Sequence, residues 1–455
     1  MTQTLWETYT DDQLKELKAV TEDYKKFLDA GKTERECVKE IIRRAEAEGY
    51  RNLTEFDTLK AGDKVYIPWM GKSIALYNIG TDNIEHGMNI LGAHIDSPRM
   101  DLKQNPLYED SGFAYFDTHY YGGIKKYQWV TVPLAIHGVI VKKDGTSMPV
   151  SIGEKEDDPV FAVTDLLVHL SAKQLEKNAS VVVEGENLDI LIGSIPAKGE
   201  EKEALTAGIL QILKQEYGME KEDFMSAELE VVPAGHARDC GIDRSMIMSY
   251  GQDDRVCAYT SLAAMFKAKT VKRTSCCIFV DKEEIGSVGA TGMHSRFFEN
   301  SVADLMDKID GFSELKLRHA LAGSTMISSD VSAAFDPMYA EAYDKKSAAF
   351  AGKGIVINKH TGSRGKSGSN DANAEYIAKI RKVFDENDVA FQMTEMGRID
   401  LGGGGTIAYI LANFGMEVID GGVAVLCMHS PWEISSKADV YEAYRAYCAF
   451  LENMR

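Results

Sequence analysis

Four apolar runs constrain the fold of this chain more than any other feature, because each one ends at a residue that can bind a metal ion. The runs are NILGAHID, SCCIFVDKEE, STMISSD and VAVLCMH, and they end at His94, at Glu283 and Glu284, at Asp330 and at His429. Short, nearly continuous apolar runs are typical of the buried strands of an α/β fold. Ligands bind beyond the carboxyl ends of such strands, so residues far apart in the sequence can meet there.

A metal centre accounts for this combination of residues. Taken alone, a histidine after a strand is usually structural, and two adjacent glutamates usually lie on a solvated face. A further candidate, Asp254, follows the apolar MIM in the segment SYGQDDR. Several buried carboxylates at one place would be costly without a cation to balance them. Zinc, manganese and cobalt all accept imidazole and carboxylate ligands, and adjacent glutamates can divide the roles of ligand and non-ligand base.

The pattern along the chain predicts an α/β domain and an inserted second domain. Apolar residues at helical spacing over 11–29, and the capping box of Thr33 with Glu36, predict two N-terminal helices. Residues 97–235 differ: they are rich in β pattern and aromatics at 113–141, acidic at 154–158 and helical in pattern at 161–175. Later strands and helices end in an amphipathic helix for which Ser436 and Asp439 are candidate caps. We therefore predict one domain from 1–96 and 236–455, and a mainly β insertion at 97–235.

Composition excludes several classes of partner. The 455 residues, 44% of them hydrophobic, can bury the cores of two domains. The balance of 51 basic and 70 acidic residues gives a net charge of −19, which would repel nucleic acid and anionic membranes. We find neither an export signal in the opening residues nor a run near the ~20 apolar residues of a membrane helix. These features predict a cytoplasmic protein, and the seven cysteines, without a CxxC spacing, are expected to be reduced.

Five motifs, in order and at the right spacing, give the chain a family resemblance. GAHIDSPR, the DDR after SYGQ, DKEEIGS, SSDVSAAFDP and LCMHSPWE resemble the motifs of the aspartyl aminopeptidase and vacuolar aminopeptidase I family of two-metal aminopeptidases. The resemblance implies a catalytic α/β/α domain of the zinc-exopeptidase type with a central mixed sheet, an inserted dimerisation domain, and removal of one N-terminal residue from a peptide. It also implies two ions, zinc with manganese or cobalt as alternatives, held by His94, Asp254 and Asp330 on one side and by Asp254, Glu284 and His429 on the other.

The same resemblance implies roles beyond the ligands. Glu283 becomes the general base that activates the attacking water, and Asp96 the carboxylate that orients the site. Asp254 becomes the bridging ligand, but Asp253 one position earlier is an alternative, because Arg255 stands where some members have asparagine.

Specificity and assembly have their own candidates. Lys359, in GIVINKHTG, lies in the region linked to acidic substrates, although other members act on neutral N-termini. His169, in DLLVHL, resembles a histidine that reaches the active site of a partner subunit, in a dodecamer built from dimers. The alternatives to an aminopeptidase are a carboxypeptidase, an amide deacylase, or a catalytically silent assembly protein stabilised by metal.

Overall fold

A computed structural model describes residues 4–269 and 271–455. The helices of these residues are α1 Leu5–Thr8, α2 Asp11–Ala30, α3 Glu34–Ala47, α4 Ala172–Leu175, α5 Ala204–Tyr217, α6 Gln252–Lys267, α7 Phe297–Asp310, α8 Glu314–Ala322, α9 Ala374–Glu386, α10 Ala408–Ala412 and α11 Lys437–Asn453. The strands are β1 Arg51–Asn52, β2 Lys64–Trp69, β3 Ser73–Asn78, β4 Asn89–His94, β5 Arg99–Asp110, β6 Phe113–Tyr121, β7 Leu134–Val141, β8 Ser147–Ile152, β9 Ala162–Val163, β10 Ile190–Gly193, β11 Ala227–Pro233, β12 Arg238–Cys240, β13 Met246–Ser249, β14 Ser275–Val280, β15 Thr325–Ser328, β16 Ser332–Ala333, β17 Ile355–Asn358, β18 Phe391–Thr394, β19 Glu417–Gly422, β20 Ala424–Leu426 and β21 Glu433–Ser436.

The chain divides into two compact units. The first comprises the chain up to Asp96, Ala237–Met428 and Glu433–Arg455, and the second comprises Ser97–His236 and His429–Trp432. The insertion predicted from the sequence spanned 97–235 and did not include the short segment after Met428.

The N-terminal helices begin where their capping residues predict. Helix α2 spans Asp11–Ala30, and its N-cap Thr10 accepts a hydrogen bond from the backbone of Gln13. Helix α3 begins after Thr33, whose hydroxyl accepts from the backbone of Glu36 while the Glu36 carboxylate accepts from the backbone of Thr33. This reciprocal pair satisfies two backbone donors that a helix start would otherwise leave open. Both predicted helices are therefore confirmed.

A mixed sheet, in the order β1-β2-β3-β14-β4-β15-β19-β17-β18, forms the centre of the first unit. Strand β4 lies between β14 and β15 and runs parallel to both. Alternate side chains point to opposite faces of a strand, so Ile90 and Leu91 belong to different apolar clusters. One cluster packs the sheet against α2, α3, α6, α9 and α11, and the other packs it against α7, α8 and α10. The first unit is thus an α/β/α layer structure, as predicted.

A second sheet of the first unit, in the order β12-β13-β21-β20-β16, includes the strand predicted from VAVLCM. That strand is only Ala424–Leu426, so it ends before His429. Helix α11 follows β21, but its N-cap Ser436 forms no side-chain cap within the described chain. Asp439 accepts instead from the backbone of Gly352 and Gly354. The expectation that both residues cap α11 was wrong, because Asp439 holds a neighbouring loop.

The second unit contains a sheet in the order β8-β7-β11-β5-β6-β10-β9, with antiparallel pairing throughout that order. The helix predicted over 161–175 is wrong: this stretch holds β9, a 3-10 turn at Val168–Leu170 and the single turn α4. Leu166, Leu167 and Leu170 within this stretch are 49%, 57% and 69% exposed. They therefore contribute no core packing that could support a long helix.

Among the residues described, we find no helix that has both the length and the apolar character needed to span a membrane.

Candidate metal centre

The centre is built on three parallel strands whose carboxyl ends meet at one edge of the main sheet. His94 is the last residue of β4, Glu283 and Glu284 follow β14, and Asp330 follows β15. Lys282 adopts a left-handed backbone conformation with φ 70°, so the chain turns directly after β14 and Glu283–Ile285 form a 3-10 turn. This turn brings both glutamates to the edge at which His94 lies.

Asp96 connects the histidine to the glutamate pair. Its Oδ1 lies 3.3 Å from His94 Nδ1, and its backbone oxygen lies 3.0 Å from the same nitrogen. Its two carboxylate oxygens also accept the backbone N–H groups of Glu283 at 3.1 Å and Glu284 at 3.2 Å. Carboxylates of this kind commonly orient metal-binding histidines. Here one carboxylate orients both the imidazole and the turn that carries the glutamates.

Two groups of side chains could each hold an ion, and His94 belongs to both. The first group is His94, Asp254 and Asp330, and the second is His94, Asp253 and Glu284. Within each group the ligand atoms lie within 4.8 Å of one another. His94 Nε2 itself lies 3.2 Å from Asp253 Oδ1. The structure therefore brings together four of the five ligands predicted from the sequence, and it adds Asp253.

Backbone geometry separates the two aspartates. Asp253 and Asp254 stand at the start of α6 with non-helical dihedral angles, and the peptide bond between them is cis.

Close packing of the backbone shapes the Asp330 side of the centre. A Cβ at Gly422 would lie 2.1 Å from the Asp330 carbonyl oxygen. Only glycine fits at that position of β19.

Burial makes these carboxylates unusual in electrostatic terms. Asp254 is 0% exposed, and neither of its carboxylate oxygens has a nitrogen or oxygen hydrogen-bond partner among the described residues. Burial, and then the nearby charge of Asp330, raise the pKa of Asp254 well above its ordinary value. Burial alone would lower the pKa of His94, but its contacts with Asp253 and Asp96 outweigh that effect and raise it. A bound cation would relieve the repulsion among the carboxylates.

The other predicted site residues lie outside these two groups. Glu283 Oε2 is 3.8 Å from His94 Nε2, close to the centre without belonging to either group. His429 belongs to the second unit, where its Nδ1 lies 2.8 Å from the carbonyl oxygen of Gly123. His169 is exposed in the 3-10 turn of the second unit. Lys359 is hydrogen-bonded to Asp371 on the surface of the first unit.

Two further acidic residues at the centre were missed by sequence analysis. Glu433 is 1% exposed and accepts a hydrogen bond from the backbone of Asp253. Asp420 is also 1% exposed, and burial raises its pKa to about 6. Glu433 ends the LCMHSPWE motif, so its place in that motif was the available signal. Asp420 carried no such signal in the sequence, because it lies inside an apolar strand pattern.

Comparison with known proteins decides the family. A family model described as Aminopeptidase I zinc metalloprotease (M18) matches residues 27–451. The chain belongs to the M18 family of aminopeptidases. It is 61% identical over 453 residues to a probable M18 family aminopeptidase 1 of Clostridium acetobutylicum, covering 98% of this chain and 97% of that protein. The family resemblance inferred from the five motifs is confirmed.

Solved structures of M18 proteins agree with the fold. The crystal structure of an M18 family aminopeptidase from Thermotoga maritima matches with a TM-score of 0.95 at 45% identity, over 99% of both chains. That of aminopeptidase I from Clostridium acetobutylicum matches with a TM-score of 0.93 at 59% identity, again over 99% of both chains. The S. cerevisiae mApe1 dodecamer, 20% identical over 94% of this chain and 95% of that one, has the same fold with a TM-score of 0.76. The predicted α/β fold and the metallo-aminopeptidase class are both confirmed, which sets aside the carboxypeptidase and amide deacylase alternatives.

Proposed function

We propose that this aminopeptidase works with two divalent metal ions at the edge of the main sheet. The observation that carries the proposal is the pair of metal-competent groups, one with Asp254 and Asp330 and one with Asp253 and Glu284, that share His94. Adjacent groups of this kind fit a two-metal centre, whose ions lie only ~3.5–4 Å apart. In such a centre the His94 imidazole would bind one ion, and a carboxylate would bridge both.

The donor set fits zinc, with manganese and cobalt as alternatives. It combines an imidazole with carboxylates, which all three ions accept. The buried Asp254 carboxylate, with no nitrogen or oxygen hydrogen-bond partner among the residues described, supports a cation at this place. When bound, the ions supply Lewis-acid polarisation of the scissile carbonyl and lower the pKa of the attacking water.

We infer that Asp253, rather than Asp254, is the bridging ligand. A bridging carboxylate must reach ligands of both ions. In the two sets implied by the family resemblance, His94 serves one ion and Glu284 the other. Asp253 groups with both of these residues, whereas Asp254 groups only with His94 and Asp330 from a single set. His429 as a ligand of the second ion stays a prediction from the resemblance.

Glu283 is the proposed general base. Its carboxylate faces His94 at 3.8 Å and lies outside both metal-competent groups, which assigns it proton transfer while the other carboxylates hold the ions. Asp96 fixes the backbone of Glu283 and so its direction. In the proposed reaction Glu283 takes a proton from the attacking water and later passes it to the leaving amine.

Measurement of metal content in two neighbouring variants tests the centre. If Asp253 is the bridge, Asp253→Asn should lower the occupancy of both ions, whereas Asp254→Asn should mainly lower the occupancy of one. Asp439→Asn is a matched control, because Asp439 is a fully buried aspartate that accepts backbone N–H groups outside both groups. The reverse pattern would return the bridge to Asp254, and full occupancy in both variants would contradict the proposed centre.

The substrate is proposed to be a peptide with a free N-terminus, acidic or neutral in its first residue. A panel of acidic and neutral aminoacyl chromogenic substrates, assayed on chelated enzyme refilled with zinc, manganese or cobalt, would settle both the preferred residue and the metal. Absence of turnover with every metal, in protein that retains its ions, would favour the catalytically silent alternative. A cytoplasmic location stays an expectation from the sequence.

We further propose that the second unit mediates assembly and that His169 acts in the active site of a partner subunit. The exposed leucines around it, Leu166, Leu167 and Leu170, support burial against another copy of this chain. A dodecamer is the form suggested by the yeast relative, whose structure is described as one. In that assembly the His169 imidazole would supply a hydrogen-bond donor to the developing oxyanion.

A further inference from the structure

A buried glutamate supports Asp253 from the side of the second sheet. Glu433 is 1% exposed, and its Oε2 accepts a hydrogen bond from the backbone N–H of Asp253 at 3.0 Å. Asp253 stands at the start of α6 with φ −81° and ψ 106°, and backbone N–H groups at a helix start have no intrahelical acceptor. A buried N–H in this position requires an acceptor, and Glu433 provides one.

Gln252 fixes the same two segments to each other. Its side-chain Nε2 donates to the backbone oxygens of Glu433 at 2.7 Å and Ile247 at 3.1 Å. Its Oε1 accepts from the hydroxyls of Tyr24 at 3.2 Å and Ser435 at 2.6 Å. With four contacts, the buried amide uses all of its ordinary hydrogen-bonding capacity. Strand β21 and the start of α6 are thus held in one relative position, so the backbone that carries the Glu433 carboxylate is fixed.

We propose that Glu433 is a positioning residue that strengthens metal binding by fixing the backbone of Asp253. The inference rests on the proposed metal centre, in which Asp253 is a ligand. Its physical basis is preorganisation: a ligand whose main chain is already held loses less freedom when it binds an ion. Residues that orient metal ligands in this way typically change metal affinity ~10–100-fold when they are replaced.

Two conservative substitutions of Glu433 test separately whether the length of its side chain or its negative charge matters for metal binding. Glu433→Gln keeps the length of the side chain and an acceptor oxygen but removes the charge. Glu433→Asp keeps the charge but is one methylene shorter, so its oxygen no longer reaches the Asp253 N–H. A positioning role therefore predicts that Glu433→Gln is tolerated and that Glu433→Asp is not. A role as a direct ligand or as a balancing charge predicts the opposite order.

Glu442 offers a matched control for the effect of altering a buried glutamate. It is 0% exposed, and its Oε2 accepts the backbone N–H of Ala390 at 2.8 Å, a contact of the same kind. It belongs to neither metal-competent group. Glu442→Asp should lower the melting temperature of the enzyme without weakening its hold on the ions.

The experiment measures the apparent Kd of each zinc ion by chelator competition, starting from the holoenzyme, together with melting temperature and metal content. We expect Glu433→Asp to weaken zinc binding ~10–100-fold and Glu433→Gln to stay within about threefold of the parent. Equal weakening by both substitutions, or a larger effect of Gln, would overturn the positioning role. So would an unchanged Kd in Glu433→Asp. Asp253→Asn in the same assay tests the metal centre separately from the positioning role of Glu433. Unchanged zinc affinity in that variant would contradict the metal centre itself.

Discussion

The centre of the first unit and the exposed turn of the second depart in opposite ways from the usual distribution of residues. His94 and Asp254, which are polar or charged, are 2% and 0% exposed, whereas Leu167 and Leu170 are 57% and 69% exposed. Buried carboxylates are costly without a counter-charge, and clustered exposed leucines are costly in water. Under the proposed function, each departure is relieved by something outside the chain: a cation in the first case and a second copy in the second. The first region is therefore proposed to carry the chemistry, and the second to mediate assembly.

The largest effect is expected from Glu283→Gln, which should break catalysis without disturbing either region. The substitution removes the proton acceptor but leaves both metal-competent groups intact, so kcat should fall ~10²–10⁴-fold while both ions remain bound. Metal analysis beside kinetics checks this. If the ions are lost together with activity, Glu283 is a ligand, and the roles of Glu283 and Glu284 are reversed.

His169→Ala tests whether the second region also contributes to the chemistry of the first. Loss of a donor to the developing oxyanion raises the barrier by ~2.7–4 kcal/mol, which corresponds to a ~10²–10³-fold loss in kcat. The variant should retain its ions and its oligomeric state.

A mixing experiment decides whether His169 acts between subunits. When Glu283→Gln and His169→Ala chains exchange, a mixed dimer holds one site with both defects and one with neither, so activity should partly return. Failure to recover after proven exchange, with His169→Ala inactive alone, would place its action within its own chain or in folding.

The two regions also differ in how far the sequence predicted them. His94, at the end of β4, and Glu284 and Asp330, just beyond β14 and β15, were predicted from apolar runs. Such runs are typical of strands buried on both faces, and the carboxyl ends of parallel strands meet at one edge of the sheet. The turn at 161–175 does not follow, because periodic leucines predict a helix only when they have a core to pack against. The chain by itself offers them none, and the 3-10 turn that carries His169 results.

The choice between Asp253 and Asp254 as the bridging ligand could not be made from the sequence. Adjacent residues of equal chemistry cannot be separated by spacing alone. Their directions depend on the non-helical start of α6, and that conformation depends on contacts from Glu433 and Gln252. Such contacts join segments that are distant in sequence, and no local pattern encodes them.

Assembly through the exposed turn should be sensitive to charge. Leu170→Asp would bury a carboxylate in an apolar contact and remove about 1.5–3 kcal/mol of apolar burial per subunit. We expect a shift to smaller species by light scattering or analytical ultracentrifugation. Leu315→Asp is the control, since Leu315 is 62% exposed on α8 of the first unit. An unchanged oligomer in Leu170→Asp, or equal dissociation in the control, would contradict the proposed surface.

The smallest effect is expected from Lys359→Met, because Lys359 already has a partner within the chain. Both Lys359 and Lys366 bind Asp371, with Lys366 Nζ at 3.1 Å from its Oδ2, and these lysines lower the pKa of Asp371. If Lys359 recognises an acidic first residue, the substrate carboxylate must compete with Asp371, so only part of a charge-assisted hydrogen bond of ~1.5–3 kcal/mol is gained. KM should then rise about tenfold or less for Asp and Glu substrates and hardly change for Leu substrates. Lys366→Met is the matched control, since it loses a lysine that binds the same aspartate. Equal effects of both variants, or equal effects on acidic and neutral substrates, would reduce Lys359 to an ordinary surface charge.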